Sequence, residues 1–230
     1  MHPECGSISR ELARLSELDS DFLVFGSDHH RYCINSPASQ EQISGFEDRH
    51  GISLPTDFRA FLSDVANGGA GPDYGVYSLH EIAKELFTGL REDELPDPGR
   101  AFDAPRSLQR ARDMEYPANG ILPISDIGCG MMSLLVVTGP EAGNMWCLSN
   151  DSAYLPYTTA KITFPHESSI EERIRIGDDH AAATLVSSDR MSFFDWYISW
   201  LDRSFDDLQN GRLEHRQKRR RTERKWWHFW

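Results

Sequence analysis

Two short runs of apolar residues at helical spacing, separated by a glycine and a proline, organise the first third of the chain. Ile43, Phe46 and His50 fall at i, i+3 and i+7, and Phe58, Phe61, Leu62 and Val65 at i, i+3, i+4 and i+7. Gly51 suits the left-handed residue that ends a helix. Pro55 suits a first helical turn, where a missing N–H costs nothing, and Asp57 places a negative charge near the positive end of the helix dipole. Asn67-Gly68-Gly69 stops the second run. The pair predicts an αα-hairpin with two apolar faces, each of which needs a partner layer.

The same patterning places the other elements. Ile8, Leu12, Leu15 and Leu18 predict a helix over 7–18, capped by Ser7 or Ser9. Residues 22–25 and 30–34 read as a small β-hairpin around Gly26-Ser27-Asp28, and residues 36–39 as a linker. A short strand over 74–77 and a helix over 80–87 follow the glycine-rich loop. Residues 89–117, polar and punctuated by four prolines, predict a long loop with a helical turn near 107–114; a loop of that length is either mobile or functional. Strands are expected over 121–124, 132–138, 144–148 and 155–164. The second is almost continuously apolar at Leu134-Leu135-Val136-Val137 and therefore covered on both faces. Residues 166–180 are polar and carry no clear element. The last helix, 190–208, groups Phe194, Tyr197, Ile198, Leu201, Phe205 and Leu208, with Phe193, Trp196 and Trp200 beside them, so it packs deeply before Gly211 ends it. The expected fold is α+β: an antiparallel sheet packed against the N-terminal αα-hairpin and the aromatic C-terminal helix. Residues 1–211 are expected to form one domain, and 212–230 a basic, Trp-rich, mobile tail.

Charge changes this picture once it is divided. The formal total is −12, but residues 212–230 hold eight Lys or Arg against two Glu, which leaves −18 on residues 1–211. An acidic body argues against nucleic acid, where neutralising phosphate is the dominant electrostatic contribution, and favours a basic protein partner; solubility alone is the plainer reading. No run of apolar residues is long enough to span a membrane. Residues 1–5 lack the basic and apolar regions of a signal peptide, so a cytoplasmic location is expected. Cys5, Cys33, Cys129 and Cys147 are scattered, without C-x-x-C spacing, and Cys129 and Cys147 read as small core residues.

Several segments occur in an order whose likeness to a known family is specific only as a set. They are the helix ending at Gly51 with Leu54-Pro55, Phe58, Phe61-Leu62 and Asn67-Gly68-Gly69; Leu122-Pro123-Ile124-Ser125-Asp126-Ile127-Gly128-Cys129-Gly130; Gly143-Asn144-Met145-Trp146; and Ser192 to Leu201. In this order they resemble the SUKH superfamily, and the resemblance covers roughly residues 39–208. It implies an immunity-type protein that binds a cognate bacterial toxin, such as a nuclease, and blocks it by occlusion. The fungal branch implies instead a regulatory or scaffold module that binds proteins. Neither implies catalysis or a cofactor. The resemblance also implies that the glycine-rich loop and the sheet loops surround one cleft.

The residues themselves carry little catalytic chemistry. No G-x-S-x-G, H-E-x-x-H or Lys-bearing phosphate loop is present. His29-His30 with Cys33 falls short of the four ligands of a structural zinc site. Gly128-Cys129-Gly130 reads as a turn between strands, and the paired acids, Asp178-Asp179 and Asp206-Asp207 among them, as a solvated face. Residues 67–74 form either a tight turn or a binding rim, since glycines allow backbone to approach a partner and Tyr is a frequent interface anchor. Asp73, Tyr74, Asp126 and Asp151 are the partner-binding candidates. In the tail, cations interleaved with Trp226, Trp227, Phe229 and Trp230 suit base stacking or a membrane interface in principle; no such role is expected, and the tail lies outside the resemblance.

Overall fold

The computed structural model describes residues 3–86, 95–105, 108–114, 117–149, 153–158 and 189–213. They form helices α1 (Pro3–Leu18), α2 (Ser27–His30), α3 (Gln40–His50), α4 (Thr56–Asp64), α5 (Leu79–Glu85), α6 (Leu108–Asp113) and α7 (Phe193–Gln209), with strands β1 (Ile121–Gly128), β2 (Met131–Val136), β3 (Met145–Leu148) and β4 (Tyr154–Pro156). The strands make one antiparallel sheet in the order β1-β2-β3-β4. The fold is the expected α+β arrangement.

Local chemistry starts and stops the helices. Ser39, Ser78 and Ser192 each cap a helix, and Gln42, Glu81 and Asp195 reach back to the capping residue's N–H, which satisfies two otherwise orphaned donors at each start. Gly51, at φ 63°, ends α3. Glu47 then ties the αα-hairpin together: it accepts from the Leu54 N–H at 2.8 Å and pairs with Arg59 at 2.6 Å.

The sheet separates two cores. On one face Leu122, Ile124, Leu135, Val137 and Met145 meet α1, α3, α4, α5 and α7, with Phe58, Phe61, Phe193, Tyr197 and Trp200 buried among them. Phe193 lies 4.9 Å from Phe58 and 5.1 Å from Phe61, and Tyr197 lies 5.3 Å from Phe61. On the other face Ile121, Met132, Leu134, Val136, Trp146 and Leu148 meet Phe102, Ala118 and Tyr154. Alternate residues of the apolar β2 strand therefore serve different cores, as a doubly covered strand requires.

Several local expectations give way to tertiary structure. In the described part of 89–117 the helical turn expected near 107–114 is α6, but the rest is not a free loop. Pro96, Pro98, Phe102, Pro105 and Ala111 are buried, and this segment covers the second face of the sheet. Residues 22–25 and 30–34 form no hairpin. Phe22, Arg31 and Tyr32 take positive φ, which a strand excludes, and the Leu23 and Val24 N–H groups bond to the buried Asp19 carboxylate instead of a ladder. Residues 74–77 form no strand: they make the isolated Gly69–Val76 bridge, and the Tyr74 and Tyr77 N–H groups bond to the Asp126 and Ile124 carbonyls of β1. α1 begins at Pro3 rather than residue 7, which buries Cys5 as well as Ile8. Cys129 is exposed at the β1–β2 turn and Cys147 is half-buried, so neither is a core residue; the turn holds Cys129 at φ 55°, where its side chain points away from packing. The strand expected over 155–164 is seen as Tyr154–Pro156, and everything beyond Thr158 in that stretch lies outside the described residues.

Candidate functional site: an aromatic and acidic rim

The rim is built by two interlocked loops. Asp19, 1 % exposed, accepts from the Leu23 and Val24 N–H groups, from Ser27 Oγ at 3.1 Å and from Tyr32 Oη at 2.6 Å. Burial, followed by the Asp19 carboxylate, pushes the Tyr32 phenol well above its usual range, so it remains a donor. This hub shapes residues 19–32 and presents Phe25 and His29 outward. Gly26 is the point of interlock: at φ 76° it lies against the second loop, and a Cβ there would sit 1.6 Å from the Asp73 carbonyl oxygen.

The second loop, residues 67–75, is anchored on the sheet and on α7. The Tyr197 hydroxyl donates to the Ala70 carbonyl at 2.7 Å, Ser125 Oγ to the Pro72 carbonyl at 3.2 Å, and the Tyr74 N–H to the Asp126 carbonyl at 3.1 Å. The register of β1 against β2 slips twice, between Pro123 and Ser125 and between Asp126 and Gly128. Such bulges redirect side chains at a strand end, and here they deliver Ser125 and Asp126 to this loop. The Asp126 carboxylate accepts the Gly128 N–H at 2.7 Å.

Tyr74 stands at the centre. Its ring stacks on His29 at 4.3 Å and tilts against Phe25 at 5.3 Å. Its hydroxyl end lies over Gly128, where a Cβ would approach to 3.1 Å, so the bare glycine makes room for the ring. Phe25 is 42 % exposed, which is unusual for a large aromatic and leaves an apolar face towards solvent.

Behind Tyr74, Asp73 turns towards the sheet. Its Oδ2 accepts from Ser133 Oγ at 2.7 Å, and Ser133 Oγ is 2.8 Å from Tyr157 Oη. Ser133 has one hydroxyl proton and gives it to Asp73, so the Tyr157 hydroxyl is the donor to Ser133. Burial pushes the Asp73 carboxyl up to about 6, and Asp126 adds to this, while the Ser133 hydrogen bond and the Arg203 charge oppose it. Burial, then Cys147 and Asp73, hold the Tyr157 phenol well above its usual range. On the other side of the loop, His30 Nδ1 accepts the Tyr32 N–H at 3.0 Å, and burial lowers His30 to about 4, so it is neutral near pH 7.

The structure thus brings Asp73, Tyr74 and Asp126 to one place, whereas Asp151 lies outside the described residues. Sequence reading missed Phe25, His29, Ser133, Tyr157 and Arg203. Ser133 left a trace, as a hydroxyl residue inside an otherwise apolar strand; Phe25 and His29 left none, because the irregular loop around Asp19 that aims them has no periodic pattern. His29, His30 and Cys33 do not assemble a ligand set, and among the described residues no group of three or more His, Cys, Asp or Glu could hold a metal ion. Among the described residues no helix is long and apolar enough to cross a membrane. A separate concavity between α3 and α5, lined by Phe46, Leu79, Gly45 and Ala83, carries Glu41 and Arg49 together and so selects no single sign of charge.

At this rim the exposed Phe25 and His29 flank Tyr74, and Asp126 lies beside it, its carbonyl accepting the Tyr74 N–H. The sequence model of the SMI1 / KNR4 family (SUKH-1) matches residues 37–163, more than half of the chain, and the chain belongs to that family. The family covers both toxin immunity proteins and SMI1/KNR4 regulators, is generally non-enzymatic, and acts through protein–protein interaction. A search of curated proteins finds no match.

Proposed function

We propose that this chain is an immunity-type protein that binds a cognate, basic bacterial toxin and neutralises it by occlusion, with Tyr74, Phe25 and His29 as the contact aromatics and Asp73 and Asp126 as the flanking charges. The observation that carries this reading is the exposed aromatic stack set directly beside two carboxylates on a body of charge −18. Aromatic anchors commonly dominate binding energy, while flanking charges steer encounter. Support also comes from Asp73 itself: an acid held at about 6 by burial costs the fold stability when ionised, and a residue that opposes folding in this way is expected where function requires it.

The family's regulatory branch would use the same rim for a different protein, and one experiment separates the two. The chain is co-expressed with the product of the adjacent toxin gene, and cell survival and binding kinetics are measured. Protection by wild type that is lost in Tyr74→Ala and weakened in Asp126→Lys supports the proposal. Absence of binding to that product, or full protection by both variants, overturns it.

A further inference from the structure

The polar chain behind Tyr74 does more than fasten a loop. Its three side chains come from three parts of the fold: Asp73 from the glycine-rich loop, Ser133 from β2 and Tyr157 from just beyond β4. Ser133 is fully buried, and Tyr157 also lies 6.3 Å, ring to ring, from Trp196 of α7. Asp73 is held in the left-handed region at φ 58°, a conformation that aims its side chain inward at Ser133 rather than out to solvent.

Among the described residues, the groups that bear on Asp73 come from each neighbouring element. Asp126 of β1 is a like charge and Arg203 of α7 an opposite one; Ser133 of β2 donates the direct hydrogen bond. Tyr157 and Cys147 of β3 lie one step further along, and His29 of α2 stacks on the adjacent Tyr74. A carboxylate accepts a stronger hydrogen bond than a neutral carboxyl does, and bonds in a chain polarise one another. The charge on Asp73 therefore strengthens its bond to Ser133, and that in turn polarises the Tyr157 hydroxyl.

We propose that the Asp73–Ser133–Tyr157 chain is a proton-responsive element, in which uptake of a proton by Asp73 removes one of the two carboxylate charges beside Tyr74 and is transmitted through Ser133 to Tyr157. The proton comes from solvent and resides on the Asp73 carboxyl; no bond between heavy atoms changes. The rim then keeps one of its two carboxylate charges, that of Asp126, and attracts cationic groups less. The raised affinity of Asp73 for protons places this change near pH 6, within reach of mild acidification. The element is a property of this chain whatever its partner, so it stands apart from the toxin-binding proposal.

The test is an NMR titration of the full chain between about pH 4.5 and 8, with 13C-labelled Asp carboxyls and labelled Tyr rings. One carboxyl resonance, identified by its loss in Asp73→Asn, is expected to titrate near 6, and the Tyr157 ring resonances should follow with the same midpoint. The Tyr157 response should vanish in Asp73→Asn. In Ser133→Ala, Asp73 should titrate at a higher midpoint, because the hydrogen bond that favours its charge is gone, and the Tyr157 response should fall by at least about half. Titration of Asp73 in the ordinary carboxylate range overturns the proposal. So does a Tyr157 response that persists in Asp73→Asn, or one that is unchanged in Ser133→Ala, which would mean that the charge acts through space. Should Ser133→Ala fail to fold, Ser133→Cys, nearly the same size but a weaker donor, makes the same comparison: a reduced Tyr157 response supports transmission through residue 133, and an unchanged one overturns it.

Discussion

Replacing Asp73 by Asn should make this protein more stable at neutral pH, although it removes a charge from the candidate binding rim. Burial raises the Asp73 carboxyl from 3.8 to about 6, so the folded state holds its proton more tightly than the unfolded chain does. That is the reverse of a salt-bridged acid, and the sign of the pH dependence reverses with it. Below about 3.8 both states are protonated and Asp73 costs nothing. As pH rises towards 6 the unfolded chain ionises first, and stability falls; above 6 the cost is constant. The gap corresponds to about 3 kcal/mol, which the partial exposure of the residue reduces to about 1–2 kcal/mol. Asn keeps an acceptor for Ser133 Oγ, and it tolerates the left-handed backbone at φ 58° well. Urea unfolding of wild type and Asp73→Asn at pH 7.5 and 4.5 checks this. The variant should gain about 1–2 kcal/mol at the higher pH and about a third of that at the lower. His30, lowered to about 4, affects both proteins alike and cancels in the comparison. A gain that is equal at the two pH values, or a variant less stable than wild type at pH 7.5, would show that Asp73 is not a strained charge.

Other consequences can be measured independently. Phe61→Ala and Trp200→Ala should each cost about 3–5 kcal/mol in equilibrium unfolding, since both side chains sit in the larger core; a loss within error would contradict that packing. Asp19→Ala leaves the Leu23 and Val24 N–H groups and the Tyr32 hydroxyl without their acceptor, while Ser27 Oγ keeps the Val24 carbonyl at 2.7 Å; it should cost about 3 kcal/mol or more and move the NMR resonances of Tyr74 through the displaced Phe25 and His29, and an unchanged melting temperature would remove the hub from the account of the rim. Against a basic protein partner, Tyr74→Ala should act mainly on dissociation, and Asp126→Lys, like added salt, mainly on association; salt-independent association would count against an acidic rim. Leu213 packs against the core, so a chain ending at Leu213 should keep the unfolding midpoint of the full chain, whereas a clear drop would mean that residues 214–230 dock on the body.

The elements legible in sequence were those whose stability is local or whose pattern is periodic. The αα-hairpin follows from the apolar stripes of Ile43–Phe46 and Phe58–Val65 with a glycine stop at Gly51, and α7 from its aromatic face. The continuous apolar run of β2 likewise announces two covered faces, and the ordered motifs around Asn67-Gly68-Gly69 and Leu122-Pro123 announce the family. Tertiary structure decided the rest. Residues 22–34 have the composition of strands, but a single buried carboxylate, Asp19, offers their N–H groups a better acceptor than a ladder would, and that choice aims Phe25 and His29 at Tyr74. The polar, proline-rich stretch before β1 looks like solvent-facing loop because its few apolar residues have no period; Phe102 and Ala111 are buried there only because the sheet has a second face to cover. Asp73 shows the same division most sharply. Its sequence neighbours make it an exposed turn residue, whereas Ser133, 60 residues away, and Asp126 on a bulged strand make it a half-buried acid with a raised proton affinity. A charge's solvation depends on everything packed around it in space, and no local pattern carries that information.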